Sequence, residues 1–555
     1  MKKKTAFVCL VLLLTLGFLS CGKSGGNETT QTQTAPTQIT LVFGSEPNTI
    51  DPALNSAVDG AIYLSHAFEG LYKYVDNGQG RAQAAPGQAA GAPQKTVNPD
   101  GTVVYVYTLR DNLKWSDGKA LTAADFVYTW QRLVDPTTAA DYSYMIDMVQ
   151  NANEIMAGEK DKSELGIRAL NDKTLEVSLT YDCPFFDEIA CFPATFPVRQ
   201  DVIEQAGDQW TFSPSTYISN GPYRLTEWVH NSYLLFEKNP NYYAPVAEGP
   251  DNLRFALMDD DNAMLAGFKS GELDFIEQVP VDEIPALLAS GELKIADYLG
   301  IYYVSINTQR PPFTDARVRK AFTLAIDRDY IINQITRTGE KPASGFVPAG
   351  TSDATPGSDF RRTGGDYYSV NPADYQKNVE EARRLLAEAG YPNGAGFPVV
   401  EYIYNTNDRH RAIAEALQDM WSTSLGITVT LSNQDWAVFL DTRKVGNYSI
   451  ARDGWIGDYN DPINFLDMHV TGGGNNNSQY ANREYDRLIA AAKGTAVQAD
   501  RMRYLHQAED LLVGADYAVG PIYFYTQPYM MNPALSGMYY TPLGYFFFTN
   551  VTGAK

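Results

Sequence analysis

The chain has 555 residues, 44% of them apolar, with 66 acidic against 44 basic side chains and a net charge of −22. That length exceeds one ordinary domain, and unremarkable glycine and proline contents (44 and 30) exclude a disordered or fibrous chain. The acidic balance, with no concentrated basic stretch, excludes nucleic acid as a partner.

The amino terminus carries the clearest processing signal. Lys2, Lys3 and Lys4 precede an almost wholly apolar run, Ala6 to Leu19, then Ser20 and Cys21. The run is too short to span a bilayer comfortably and has the order of a secretory signal over residues 1–20. A cysteine after a small residue resembles the lipobox of bacterial lipoproteins, which implies cleavage before Cys21 and its acylation. Phe18 stands where that pattern usually has Leu, and the alternative is an ordinary signal cut near Ser20. Residues 21–38 are Gly-, Ser-, Thr- and Gln-rich and read as a flexible tether. A folded body held to the cell envelope by a lipid, on the periplasmic or extracytoplasmic face, is the expectation.

Beyond the tether, short strands and helices alternate. Ile39–Phe43 is β-like and Ser45-Glu46-Pro47 ends it; Val103–Leu109 alternates, and Trp115-Ser-Asp-Gly turns out of it. Thr122-Ala-Ala-Asp caps a helix through Phe126, Trp130 and Leu133. Leu175–Leu179 reads as a strand. Helical spacing marks Val318–Ile335, Val379–Ala389 and Arg411–Leu425, with Gly390 and Gly426 as stops, and Thr428–Leu431 returns to strand. Arg81–Gln94 and Thr351–Tyr368 read as exposed loops. This alternation predicts α/β architecture in more than one lobe.

Enzyme chemistry finds no foothold. Nucleophile elbow, Walker loop, zinc HExxH and dinucleotide fingerprint are all missing from the sequence. Asp259-Asp260-Asp261 reads as a solvated turn. The five histidines are scattered without zinc spacing, so neither a metal nor another cofactor is expected. Cys183 and Cys191 lie eight apart in CPFFDEIAC and either pair or stay as two buried thiols.

Many blocks, in order, resemble the extracellular solute-binding proteins of family 5, in particular those that bind oligopeptides. They include SEPNTIDP (45–52), LKWSDGKALTAADFVYTWQRLVDP (113–136), NGPYRL (220–225), PPFTDARVRKAFTLAIDRD (311–329), YNTNDRHRAIAEALQDMW (404–421), QDWAVFLDTR (434–443) and ARDGWIGDYNDPINFL (451–466). The resemblance implies a two-lobed periplasmic-binding-protein fold of class II type, with an extra domain and hinge closure. Lobe I would comprise 39–77, 197–298 and 527–555, the smaller domain 78–196, and lobe II 299–526. It further implies a monomer that is not an enzyme, captures short peptides of three or four residues, and hands them to an ABC permease in the cytoplasmic membrane. Relatives that bind a murein peptide, nickel chelate, haem or oligosaccharide set the alternative ligands; a surface adhesin is the alternative of another class.

A side-chain-indifferent peptide site has definite needs. It should pair the ligand backbone as an added strand, neutralise both termini and leave side chains in roomy, hydrated pockets. By resemblance, Asp458 is the partner of the ligand ammonium. Gly454, Trp455, Ile456, Gly457 and Val58 pair with its backbone. Arg452, Arg443 and His410 lie near its carboxylate. Trp436, Trp455, Tyr142, Tyr303 and Tyr525 wall the pockets. Two cysteines of the family member fall at Gly300 and Gly457, so that bridge is lost here, and an acidic residue near the ligand amino terminus falls at Ser56. A lysine associated with the shortest ligands falls at Thr336, which implies that dipeptides lose their carboxylate partner.

Overall fold

The computed structural model describes residues 38–244, 249–355, 357–495 and 497–553; the expected signal, the tether and Cys21 lie outside them. No helix among the described residues is long and apolar enough to cross a membrane.

One eleven-stranded sheet organises the body. Its strands in chain order are β1 (Gln38–Val42), β2 (Tyr223–Val229), β3 (Tyr233–Lys238), β4 (Asn252–Ala256), β5 (Phe275–Ile276), β6 (Leu293–Ile306), β7 (Lys341–Pro342), β8 (Val400–Asn405), β9 (Val429–Gln434), β10 (Ile450–Ile456) and β11 (Val519–Met531). Across the sheet they run β9-β8-β10-β6-β11-β5-β1-β4-β3-β2, with β7 on β11. Two long antiparallel strands, β6 and β11, therefore join its two halves. Leu293–Asp297 pairs with Thr526–Met530, the register breaks, and Ile301–Ser305 pairs with Val519–Phe524. Irregular pairing of this kind is where a sheet bends.

A separate four-stranded sheet, in the order Gln94–Val97, Val103–Thr108, Thr174–Leu179 and Ile167–Asn171, lies between β1 and β2 in sequence. The helix beside it, Ala123–Val134, starts where the sequence predicts. Thr122 and Asp125 form a capping box, with the Asp125 carboxylate accepting the Thr122 N–H at 2.7 Å.

The helix expected over 411–425 starts about one turn earlier, as Asp408–Leu425 capped by the Asn407 side chain, and stops as expected at Gly426, whose φ of 70° is the left-handed conformation that favours glycine. The single helix expected over 318–335 is instead broken. Ala316–Leu324 ends, Asp327 caps a new turn by accepting the Tyr330 N–H, and Ile331–Thr336 continues as a π-helix.

Both expected loops carry structure. Ala82–Pro86 pairs antiparallel with Tyr72–Asp76, and Gln88 and Ala89 are buried. Within 351–368, Arg361 is buried and ion-paired with Glu509, which pins the segment to the core. Alanine-rich and glycine-rich composition concealed small side chains suited to close packing.

The block at 45–52 earns its composition structurally. Asp51 is buried and holds Arg132 in a two-pronged pair at 2.9 and 2.7 Å, and accepts from the Trp210 indole at 3.0 Å. This fixes the segment that leads, through Asn55, into helix Val58–Ala67. Of the two states the sequence leaves open for Cys183 and Cys191, the structure has buried, unpaired thiols. Cys183 neighbours Arg501 and Asp461, Cys191 neighbours Glu188 and Asp187, and burial pushes both thiols up.

Candidate functional site

β10 is paired along its whole length with β6, from Ile450↔Ile306 to Ile456↔Gly300. On its other side β8 pairs only with Ile450 and Ala451. Residues 452–456 therefore have one strand partner among the described residues, and alternate backbone N–H and C=O groups point outward from an open edge. That edge faces a cavity of about 410 Å3. Asn55, Ser56, Ala57 and Val58, at the start of the helix fixed through Asp51, line it too. Gly454, Trp455, Ile456, Gly457, Val58, Tyr142, Tyr525, Arg443, Arg452 and Asp458 all line this one cavity.

Asp458 lies at one end. It is buried, and its Oδ2 accepts from Asn464 Nδ2 at 3.1 Å and from the Tyr144 hydroxyl at 3.2 Å. Burial outweighs these bonds and raises its carboxyl to about pKa 6. Asn464 is itself fixed, since its Oδ1 accepts from the Trp455 indole at 2.9 Å and from the Asp458 N–H at 3.1 Å.

Arg452 lies at the other end, its guanidinium 5.2 Å over the Tyr302 ring. Among the described residues it forms no ion pair, and its Nε has no hydrogen-bond partner. Arg443 differs. It is buried and paired with Asp453, whose carboxylate also accepts from the Gly454 N–H and from Asn477 Nδ2, each at 2.9 Å. His410 is held neutral: burial first, then Arg452 and Arg409, bring its pKa down to about 2, and its Nδ1 lies 3.2 Å from the Tyr302 hydroxyl. Of the three basic groups, Arg452 alone brings an uncommitted charge to the cavity.

Tyr303 is buried and packs on Phe346, with ring centroids 5.0 Å apart. It pairs across from Asp453, whereas Tyr302 pairs across from Gly454. Paired residues share a sheet face, so Tyr302 is the tyrosine beside Arg452 and His410. The Trp436 side chain lies outside the described residues. Thr336 is buried, and its hydroxyl donates to Glu340 Oε2 at 2.8 Å. Gly300 and Gly457 are neighbours at the paired ends of β6 and β10, where the Gly457 N–H donates to the Leu299 carbonyl at 2.8 Å. The resemblance did not give Asp453, Asn464, Tyr144 and Tyr302. Period-two alternation along β6 is the signal that separates Tyr302 from Tyr303.

Two half-sheets joined by a pair of long strands, with a cleft walled by both, is the architecture of a periplasmic-type solute-binding protein. The chain belongs to the bacterial extracellular solute-binding proteins of family 5; the model described as "family 5 Middle" matches residues 86–477. It is 35% identical to the periplasmic oligopeptide-binding protein OppA of Salmonella typhimurium, over 89% of this chain and 88% of that one. Identity to the oligopeptide-binding protein OppA of Bacillus subtilis is 31% over 99% of each chain. Among solved structures, the Escherichia coli murein tripeptide binding protein MppA superposes with a TM-score of 0.80 at 31% identity, covering 94% of this chain and 99% of that one. Haemophilus influenzae OppA in complex with RPPGFSPFR also gives 0.80, at 30% identity, covering 94% and 100%.

Proposed function

We propose that this protein captures short peptides outside the cytoplasm and delivers them to an ABC permease. It is a lipid-anchored monomer that carries out no catalysis. One observation carries the reading: the open edge of β10 runs between a buried carboxylate, Asp458, and an unpaired guanidinium, Arg452. A peptide laid along that edge as an added strand has its ammonium at Asp458 and its carboxylate toward Arg452. Residues 39–77, 197–298 and 527–555 form one lobe, 299–526 the other, and 78–196 the extra domain. The register break in β6 and β11 is the hinge on which the lobes close. The test is calorimetry with unrelated tri- and tetrapeptides. Binding across the panel, weakened when the peptide amine is acetylated, is expected; no heat from any peptide would sink the reading.

Length selection follows from Thr336, the position at which the resemblance puts a lysine that serves the shortest ligands. Its hydroxyl is buried and donates to Glu340, so it brings no positive charge, and His410 is held neutral while Arg443 is paired with Asp453. Ala-Ala-Ala is therefore expected to bind at least about tenfold tighter than Ala-Ala, roughly 1.4 kcal/mol. Equal dissociation constants in the same titration would show that the residue at 336 carries no meaning for length.

A further inference from the structure

Beside the cleft lies a larger cavity, of about 630 Å3, which shares Ser56, Tyr142, Trp455, Leu440, Met468 and Asn475 with it. It opens among the groups that hold Asp458, since Tyr144 and Asn464 also line it. Its walls are soft and apolar: Met145, Met148 and Met468, with Phe185 stacked on Tyr459 at 4.6 Å between centroids. Unbranched thioethers and flat rings adapt to long aliphatic stems.

Its charged groups do not balance. Lys493 Nζ lies 2.6 Å from Asp467 Oδ2 and 3.1 Å from Asp147 Oδ2, so two carboxylates share one ammonium. All three side chains remain about a quarter to a third exposed, at 26%, 34% and 23% for Lys493, Asp467 and Asp147. At the rim, the exposed Asp141 and Lys444 offset each other. The cluster is one positive charge short. Burial, opposed by Lys493 and reinforced by Asp467, keeps the Asp147 carboxyl above the usual carboxylate range.

We propose that this cavity is a side-chain subsite that selects a basic residue, lysine or arginine, at the first or second position of the bound peptide. The inference rests on the peptide-binding reading above. The side chain's ammonium or guanidinium completes a two-by-two set with Asp147, Asp467 and Lys493, while its methylenes lie along the methionines. An acidic side chain meets two carboxylates there, and an aliphatic one leaves the imbalance in place.

The test is calorimetry with Ala-Ala-Ala and with tripeptides carrying Lys, Glu or norleucine at position one or two, norleucine having an uncharged stem of similar length. At one of these positions, Lys is expected to bind at least tenfold tighter than Glu and at least threefold tighter than norleucine. Asp147→Asn and Asp467→Asn, each read as the ratio of Lys to Glu affinities so that general losses cancel, should each cut that ratio at least fivefold. Lys493→Met should raise the Lys-to-norleucine ratio, an opposite sign that mere loss of structure would not produce. Ala-Ala-Ala bound with no Lys preference at either position overturns the subsite and leaves the peptide function standing. A preference that persists unchanged in both Asn variants also overturns it. Failure of every peptide to bind removes the underlying function as well.

Discussion

Asp458→Asn is expected to cost about 3–5 kcal/mol of peptide binding, on the order of a hundredfold or more in affinity, because the ligand ammonium would be buried without a counter-charge. The same change should stabilise the protein without ligand. Asp458 has its pKa raised from 3.8 to about 6 by burial, so the folded chain holds this proton more tightly than the unfolded one. Its ionisation then lowers stability as pH rises from about 4 to 6, by roughly 3 kcal/mol, and the loss persists above that range. Asparagine has no such penalty, and its amide oxygen can keep the bonds from Asn464 and Tyr144. Thermal unfolding of the variant and the unaltered protein should differ at pH 7 and converge near pH 4. Peptide affinity of the unaltered protein should fall below about pH 6, as the carboxylate takes up its proton. A variant less stable than the parent at pH 7, or one that still binds tripeptides tightly, contradicts this account.

The second large effect lies behind the site. Arg501 and Asp461 form a two-pronged ion pair at 2.7 Å on both arms, with side chains only 3% and 5% exposed. Asp461 also accepts the Ile463 N–H at 3.0 Å, fixing the turn that presents Asn464 to Asp458. Arg501→Met strands a buried carboxylate and should destabilise the fold by about 3–5 kcal/mol. Adding Asp461→Asn should restore much of that, because the stranded charge is gone while the turn keeps its acceptor. Equilibrium denaturation of the single and double variants measures both. A double variant no more stable than the single would mean that packing of the arginine, which also lies 5.1 Å over the Phe185 ring, dominates over charge.

The sequence is most readable where local rules decide the outcome. Thr122 with Asp125 marks a helix start and Gly426 a helix stop, because capping needs only neighbours in the chain. The break at Asp327 was harder to see, since the apolar spacing continues through it and only the capping side chain reveals the restart. The glycine- and alanine-rich segments misled for a different reason: whether small residues lie on a surface or against a core depends on distant partners, such as Glu509 for Arg361. In the site, the blocks at 434–443 and 451–466 supply Leu440, Arg443 and the run from Arg452 to Asp458 to the cleft lining, whereas the block at 404–421 supplies none of it. Their charge states are not in the sequence. Arg443 and Arg452 look alike in a string of letters, yet Arg443, on the helix Trp436–Lys444, is neutralised by Asp453 of β10, while Arg452, the neighbour of Asp453 on that strand, is not. Successive residues of a strand point to opposite faces, which turns Asp453 away from Arg452.

The unpaired edge of β10 has a consequence beyond ligand capture. Exposed strand edges are templates for self-association, since backbone groups pair with any extended chain, including another copy of the same protein. Here the edge lines a cavity together with Asn55–Val58 and does not lie on open surface. In the proposed reading, Asp458 and Arg452 would add a chemical condition, favouring a guest that brings a free ammonium and a free carboxylate within a few residues of each other. Interior segments of folded or unfolding proteins have neither. The features that choose a short peptide therefore also guard against aggregation, and allow a binding protein to keep a sheet edge unsatisfied between one cargo and the next.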